Sequence, residues 1–203
     1  MHAGRIAVRL MDQDPCGPAC RFSDAHIYYT MCILAEGERL GRRALAQRAG
    51  VGEGTMRTML DALRGCGLVD VAQSGIAISP EGRELMDRIG IRLVDVPRSD
   101  HVVGGNQMGI VVRGGASRVT DGMAQRDSAV IAGGDGASVF TLVEGMLLMP
   151  PSLVMDGLDR AFADGVRRTA GMEEGDALIV AGSSSPRLSA VCAIAAGLEM
   201  LRP

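Results

Sequence analysis

The tripeptide Gly50-Val51-Gly52 constrains the fold of this chain most, because it separates two segments that both have helical spacing. The upstream segment, 41–49, has one small apolar face: Ala44, Leu45 and Ala49. The downstream segment, 53–64, has a larger one: Met56, Met59, Leu60 and Leu63. Glycine supplies the backbone freedom for a tight turn, and Val51 fills the gap between the helices. The sequence therefore predicts two short helices packed together.

The flanking segments extend this unit. A helix over 24–35 is predicted from apolar residues at intervals of three and four, with Ser23 or Asp24 as its cap. Strands at 69–72 and 76–78 alternate around the turn Gln73-Ser74-Gly75, which indicates a hairpin. Ser79 and Pro80 are typical of the start of a further helix. The predicted order is helix, helix, turn, helix, hairpin, helix.

Four segments carry a family resemblance: RALAQRAGV at 43–51, GTMRTMLDAL at 54–63, GLV at 67–69 and ISPEG at 78–82. Together they resemble the winged helix-turn-helix of prokaryotic transcriptional regulators. The resemblance implies that helix 53–64 lies in the major groove of double-stranded DNA. It also implies that the hairpin around Ser74 contacts the neighbouring backbone or the minor groove.

Residue roles follow from this implied placement. Arg57 is the candidate for a base-edge contact, because arginine can bond bidentately to guanine, and Thr55 and Thr58 are candidates for bases or phosphates. Arginines that flank the turn would neutralise phosphates. Glu53 and Asp61 would repel phosphate unless they accept from cytosine. The predicted interface comprises Arg42, Arg43, Arg48, Glu53, Thr55, Arg57, Thr58, Asp61, Arg64, Gln73 and Ser74.

Composition limits the other functions. All 21 basic residues are arginine, which excludes a lysine Schiff base and a P-loop lysine. The net charge is −3, and segment 37–65, with six arginines and three acids, is only modestly basic. The sequence shows neither a nucleophile–base–acid set nor a dinucleotide-binding glycine fingerprint. We therefore expect no catalytic residue, no cofactor and no enzyme activity.

The five cysteines indicate a reducing compartment, because their number is odd and three lie in or near predicted helices. Cys16 and Cys20 are either two ordinary thiols or part of a metal site; no second pair at zinc-ligand spacing follows them, so we expect no metal. The chain has no signal-peptide core and no apolar run of about 18 to 20 residues. We expect a cytoplasmic protein without membrane contact.

The C-terminal half predicts a different domain. Strands are expected at 108–112, 137–143, 146–149 and 177–181, and helices at about 120–132, 153–169 and 186–201. This order favours a small α/β sandwich with a mixed sheet, so the whole chain is predicted to be α+β. The predicted organisation is an arm at 1–22, a winged helix at 23–92, a linker at 93–100 and an effector-binding or dimerisation domain at 101–203.

One loop of this half has chemical character. Gly182, Ser183, Ser184 and Ser185 lie between a buried strand and a helix, with Arg187 beside them. Such a loop can bind an anion, or a serine can simply cap the helix. Arg113, and the pair Arg126 and Asp127, are further candidate ligand-binding residues.

The complete layout resembles archaeal winged-helix regulators whose second domain has no assigned function, on segments 125–133, 136–142 and 182–185. We interpret the chain as a homodimeric DNA-binding transcriptional regulator with a possible small anionic effector. Two alternatives stay open. One is an enzyme or phosphate-binding protein with its site at 182–187, and the other is a winged helix used as a protein-interaction module.

Overall fold

The computed structural model describes residues 22–202, which form two compact units divided between Ile89 and Gly90. Both units combine helices and strands, which confirms the predicted α+β class. Residues 1–21 of the predicted arm, including Cys16 and Cys20, lie outside the described residues. The last residue of the arm, Phe22, is described and packs against the apolar core of the first unit. None of the helices within 22–202 is long and apolar enough to cross a membrane.

The first unit follows the predicted order. Its elements are α1 (Asp24–Ala35), α2 (Arg42–Ala49), α3 (Glu53–Gly65), β1 (Val69–Ala72), β2 (Gly75–Ile78) and α4 (Pro80–Ile89). The predicted cap is present at α1, where the backbone N–H of Ser23 donates to His26 Nδ1 at 3.2 Å. Ser79 accepts from the N–H of Gly82 at 3.0 Å and donates to the carbonyl of Gly67 at 2.6 Å. This hydroxyl fixes the start of α4 against the end of α3.

The core of the first unit lies between the helices and the hairpin. All four predicted apolar residues of α3 are buried, as are Ile76 and Ile78 of β2. On α2 the buried residues are Leu45, Ala46 and Ala49, so Ala46 replaces the predicted Ala44, which is exposed. Each large side chain fully buried here contributes about 1.5–3 kcal/mol. The core therefore holds α3 in a fixed orientation.

The wing, defined as β1, β2 and the turn between them, is extended by one bridging residue from outside the hairpin. Leu40 forms an antiparallel bridge with Ile76, and their N–H and carbonyl groups exchange two hydrogen bonds of 3.0 and 2.9 Å. The connection between α1 and α2 is therefore part of the wing's sheet.

The second unit is built on one six-stranded sheet. Its elements are β3 (Ile91–Val94), β4 (Asn106–Val112), a 3-10 turn (Gly115–Arg118), α5 (Met123–Ile131), β5 (Gly136–Val143), β6 (Met146–Met149), β7 (Leu153–Val154), α6 (Met155–Leu158), α7 (Arg160–Thr169), β8 (Ala177–Ser183) and α8 (Pro186–Met200). The strand order is β3-β4-β8-β5-β6-β7.

The sheet is antiparallel at every pairing, which corrects the predicted mixed sheet. The β4–α5–β5 segment is a crossover between strands that run in the same direction, and such a unit normally makes a parallel pair. Here β8, which comes last in the chain, inserts between them and pairs antiparallel with both. The long-range insertion of β8 decides the sheet type.

The register assigns the two faces of the sheet. Ile110 lies opposite Ile179, and Val139 also lies opposite Ile179; this face is covered by α5 and α8. The other face carries Leu178 and Phe140 and packs against α7, where the ring of Phe140 lies 5.0 Å from that of Phe162. The unit is a sheet between two helical layers.

The predicted helix over 153–169 is wrong in its first part. Leu153–Val154 pairs with β6, a one-turn helix follows, and α7 begins only at Arg160. Asp159 causes the break, because its Oδ1 accepts from the N–H of Phe162 at 3.0 Å and caps α7.

The predicted linker at 93–100 is also corrected. Ile91–Val94 is an edge strand of the second unit, so the first unit ends at Ile89 and not at residue 92. Gln107 holds the following segment: its Oε1 accepts from the N–H of Ser99 at 2.9 Å, and its Nε2 donates to the carbonyl of Val102 at 2.6 Å. Ser99 is 3% exposed, which is incompatible with a free linker.

Candidate nucleic-acid interface

The exposed side of α3 is called the reading face here. It is formed by the residues that alternate with the buried apolar side: Glu53, Arg57, Thr58, Asp61 and Arg64. Thr55 is half-buried beside it. Helical spacing alone places these residues together, because positions three and four apart share one side of a helix. The structure thus brings the predicted α3 residues onto one surface.

Both acidic residues of the reading face lie close to an arginine. Glu53 Oε1 lies 3.8 Å from Arg43 Nε, and Asp61 Oδ1 lies 4.0 Å from Arg64 Nη2. Arg57 is exposed and forms no ion pair with another residue of the described range 22–202. Since both acids have an arginine nearby, the guanidinium of Arg57 is the cation of the reading face with the most donors left for a ligand.

The arginines that flank the turn between α2 and α3 differ in their exposure and in their partners. Arg42 and Arg43 are exposed at the start of α2, and the side chain of Arg43 is 90% exposed. Arg48, however, donates to Glu36 Oε2, and this hydrogen bond raises the pKa of the Arg48 guanidinium. Arg48 therefore connects the end of α2 to the loop after α1, and its contact with a DNA phosphate stays a prediction.

The polar groups of Thr58 and the wing turn are differently placed. The hydroxyl of Thr58 donates to the carbonyl of Gly54 at 3.3 Å, which leaves its oxygen as an acceptor on the reading face. Gln73 and Ser74 form the exposed turn of the wing, as predicted from the sequence.

Arg39 is a further basic residue at this surface, and the sequence reasoning missed it. Its Nη1 donates to the carbonyl of Gly75 at 3.3 Å, so its side chain lies beside the wing turn. The sequence signal is weak, because residues 36–41 read as a connector and the bridge between Leu40 and Ile76 is a long-range pairing.

The glycine–serine loop at 182–185 is a helix cap. Ser185 Oγ accepts from the N–H of Leu188 at 3.3 Å, and Pro186 opens α8. Ser183 is fully buried, and its hydroxyl donates to the carbonyl of Ser185 at 2.9 Å and lies 2.8 Å from Ser189 Oγ. These hydroxyls are engaged within the cap, and of the predicted set only Ser184 and Arg187 are exposed at this end.

The other predicted ligand-binding residues lie elsewhere. Gly182 pairs with Gln107 at one end of β4, whereas Arg113 follows Val112 at the opposite end. The two ends are roughly 20 Å apart at about 3.4 Å per residue. Arg126 and Asp127 form an exposed ion pair of 3.4 Å on α5. The structure does not gather Arg113 and Gly182 into one site.

The titratable side chains of the described part offer little else. Within 22–202, no group of three or more histidine, cysteine, aspartate or glutamate side chains is placed to hold a metal ion. Burial lowers the pKa of His26, raises the pKa of Cys32 to about 12 and raises the pKa of Cys192 to about 11. Both thiols are therefore protonated at neutral pH, which disfavours them as nucleophiles.

Comparison with known proteins gives one match for each unit. The family described as the CggR N-terminal DNA binding domain matches residues 28–91, and a domain of unknown function, DUF4443, matches residues 103–200. The two matches support a DNA-binding regulator. No curated protein matches the chain.

A solved structure matches most of the chain. Hypothetical protein PH0730 from Pyrococcus horikoshii OT3 aligns over 87% of this chain and 91% of its own, with a TM-score of 0.69 and 20% sequence identity. At this identity the similarity shows the fold alone.

Proposed function

We propose that this protein is a cytoplasmic transcriptional regulator that binds double-stranded DNA through α3 in the major groove. The reading face carries the proposal, because it presents Arg57, which has no ion-pair partner within residues 22–202, on a helix whose opposite side is fixed in the core. Arg57 would donate bidentately to a guanine edge. The family match at residues 28–91 supports this use of the first unit.

The first helix of the pair would position the protein. Arg42 and Arg43 are exposed at the N-terminal end of α2, where guanidinium groups and backbone N–H groups together attract phosphate. Such contacts bind any sequence, so they set orientation and overall affinity. The ion pair between Arg43 and Glu53 is open enough for phosphate to compete with the carboxylate.

For the second unit we propose dimerisation and the binding of a small anionic effector. One copy of α3 offers few base contacts, and a two-fold pair doubles them. The start of α8, where Ser184 and Arg187 are exposed, is the position to test first for an anion.

The testing experiment is a titration of the purified chain against fragments from its own promoter region. It is run at two salt concentrations, with random DNA as competitor and with inorganic phosphate as a first effector probe. We expect tight binding that resists the competitor and weakens steeply with salt, because phosphate contacts release counterions. Absence of binding at both salt concentrations would contradict the proposal and favour a winged helix that docks protein.

Two substitutions separate base reading from phosphate binding. Arg57→Ala should cost about 1–3 kcal/mol on the preferred sequence and relax the preference at one base pair. Arg43→Ala should weaken binding to preferred and random DNA alike. Affinities measured on both DNAs for each variant check the assignment, and equal effects of the two substitutions would show that α3 does not read bases.

A further inference from the structure

We infer that Arg39 supplies the wing's contact with a DNA phosphate. The inference rests on the proposed DNA-binding function, and it assigns a role to a residue outside the wing hairpin. The hairpin turn itself offers only the neutral side chains of Gln73 and Ser74. The charged side chain exposed on β1 is that of an acid, Asp70. A wing built only from these residues would have no cation to attract the phosphate backbone of DNA.

The fold brings Arg39 to that position. The two hydrogen bonds between Leu40 and Ile76 fix the backbone of the preceding residue against β2. The guanidinium then reaches the turn, where Nη1 donates to the carbonyl of Gly75 at 3.3 Å. The cation is thus held at the end of β2 next to the turn.

Gly75 makes this close approach possible. Its φ of +120° is strained for any residue with a side chain, and an added Cβ would lie 3.3 Å from the Cβ of Arg39 and 3.2 Å from the carbonyl oxygen of Leu40. A larger residue at 75 would push the Arg39 segment away from the wing. Gly75 therefore serves the contact between β2 and the segment of Arg39 and Leu40, as well as the turn.

The guanidinium has donors to spare. It carries five N–H groups, of which the bond to Gly75 uses one. Arg39 is exposed and forms no ion pair with any residue of the described part of the chain. A phosphate oxygen beside the turn would meet a charged donor already oriented by the wing, which lowers the entropic cost of the contact.

The test is Arg39→Gln in the full chain, with Arg88→Gln as the matched control. Arg88 lies on α4 of the same unit and pairs with Glu84 at 2.6 Å, so the control removes one positive charge without touching the wing. We expect Arg39→Gln to lower affinity about 3- to 10-fold on preferred and random DNA alike. The slope of log K against log salt should fall by about one, and Arg39→Lys should recover most of the affinity.

Several outcomes would overturn the inference. Equal losses of DNA affinity in Arg39→Gln and Arg88→Gln would show that Arg39 acts only through its contribution to the net charge. A loss restricted to the preferred sequence would make it a base contact, and a fall in Tm that Arg88→Gln does not share would make it a structural residue. A wild-type chain that binds no DNA would instead defeat the proposed function itself.

Discussion

Gly182 shows how closely single residues are packed in the second unit. It lies in β8, and a Cβ added there would come 1.7 Å from the carbonyl oxygen of Val103. That oxygen belongs to the segment which Gln107 ties to the sheet. The glycine is therefore required for backbone packing, and the sequence motif that contains it is structural at this position.

The substitution Gly182→Ala should destabilise the protein by at least about 2 kcal/mol, because the Val103 backbone must move to admit the methyl group. Thermal unfolding of the full chain should show a fall in Tm on the order of 10 °C. The control is Gly157→Ala, where an added Cβ meets nothing within 4 Å. A variant with the wild-type Tm would show that the segment at 103–104 is not packed on β8 as described.

The placement of individual side chains was predicted well where a single helix determines it. The reading face of α3 follows from spacing alone, and the structure exposes all of its predicted members except the half-buried Thr55. The contacts of Arg48 and Arg39 could not be predicted from helical spacing. Their partners, Glu36 and Gly75, lie 12 and 36 positions away in the chain. Side-chain pairing over such separations depends on tertiary contacts.

At the scale of elements, one ion pair joins three of them. Arg167 of α7 lies 2.6 Å from Asp156 Oδ1 on α6, and Asp156 Oδ2 accepts from the N–H of Leu147 on β6 at 3.3 Å. The hydrogen bond from Arg167 is the main cause that lowers the pKa of the Asp156 carboxyl, against the opposing effect of burial. The pair helps to hold the short helix α6 against the sheet.

This pair predicts a pH-dependent stability. The pKa of Asp156 is lower in the folded chain than its ordinary 3.8, so the contribution is present above about pH 4 and is lost as pH falls through the folded value. Asp156→Asn should therefore lower Tm by a few degrees at pH 7, and its Tm difference from the wild type should shrink as pH falls below 3.8. Asp95→Asn, which removes an exposed acid of the same unit, serves as the control. A Tm difference that stays constant as pH falls from 7 to well below 3.8 would contradict this assignment.

Element positions were predicted where the local pattern is strong. Both units contain the expected main helices, and the hairpin of β5 and β6 turns at Glu144 and Gly145 as expected. The failures occur at short elements. Helical spacing continues through 153–169, but Asp159 accepts a capping bond and starts α7 anew. Strand β3 was assigned to the end of the winged helix and the linker, because its pairing with β4 cannot be read from four residues.

The whole molecule combines a winged helix with a sheet unit, and the proposed regulator requires two copies of it. We expect sedimentation equilibrium to give twice the mass of one chain at the concentration that saturates the promoter fragment. The same sample diluted below that concentration should lose DNA binding cooperatively if dimerisation and binding are linked. A single-chain mass under saturating conditions would reject the dimer and leave each α3 to bind alone.

The sequence by itself determined the helices of the first unit, their buried faces and the exposed surface of α3. These features depend on residues three or four positions apart, and helical geometry brings such residues together without help from the rest of the chain. Only the tertiary structure decided that β8 inserts between β4 and β5, that Leu40 extends the wing, and that Arg113 and Gly182 lie at opposite ends of β4. Strand partners are chosen by burial and register across distant segments, and periodicity within one strand carries no record of its neighbour.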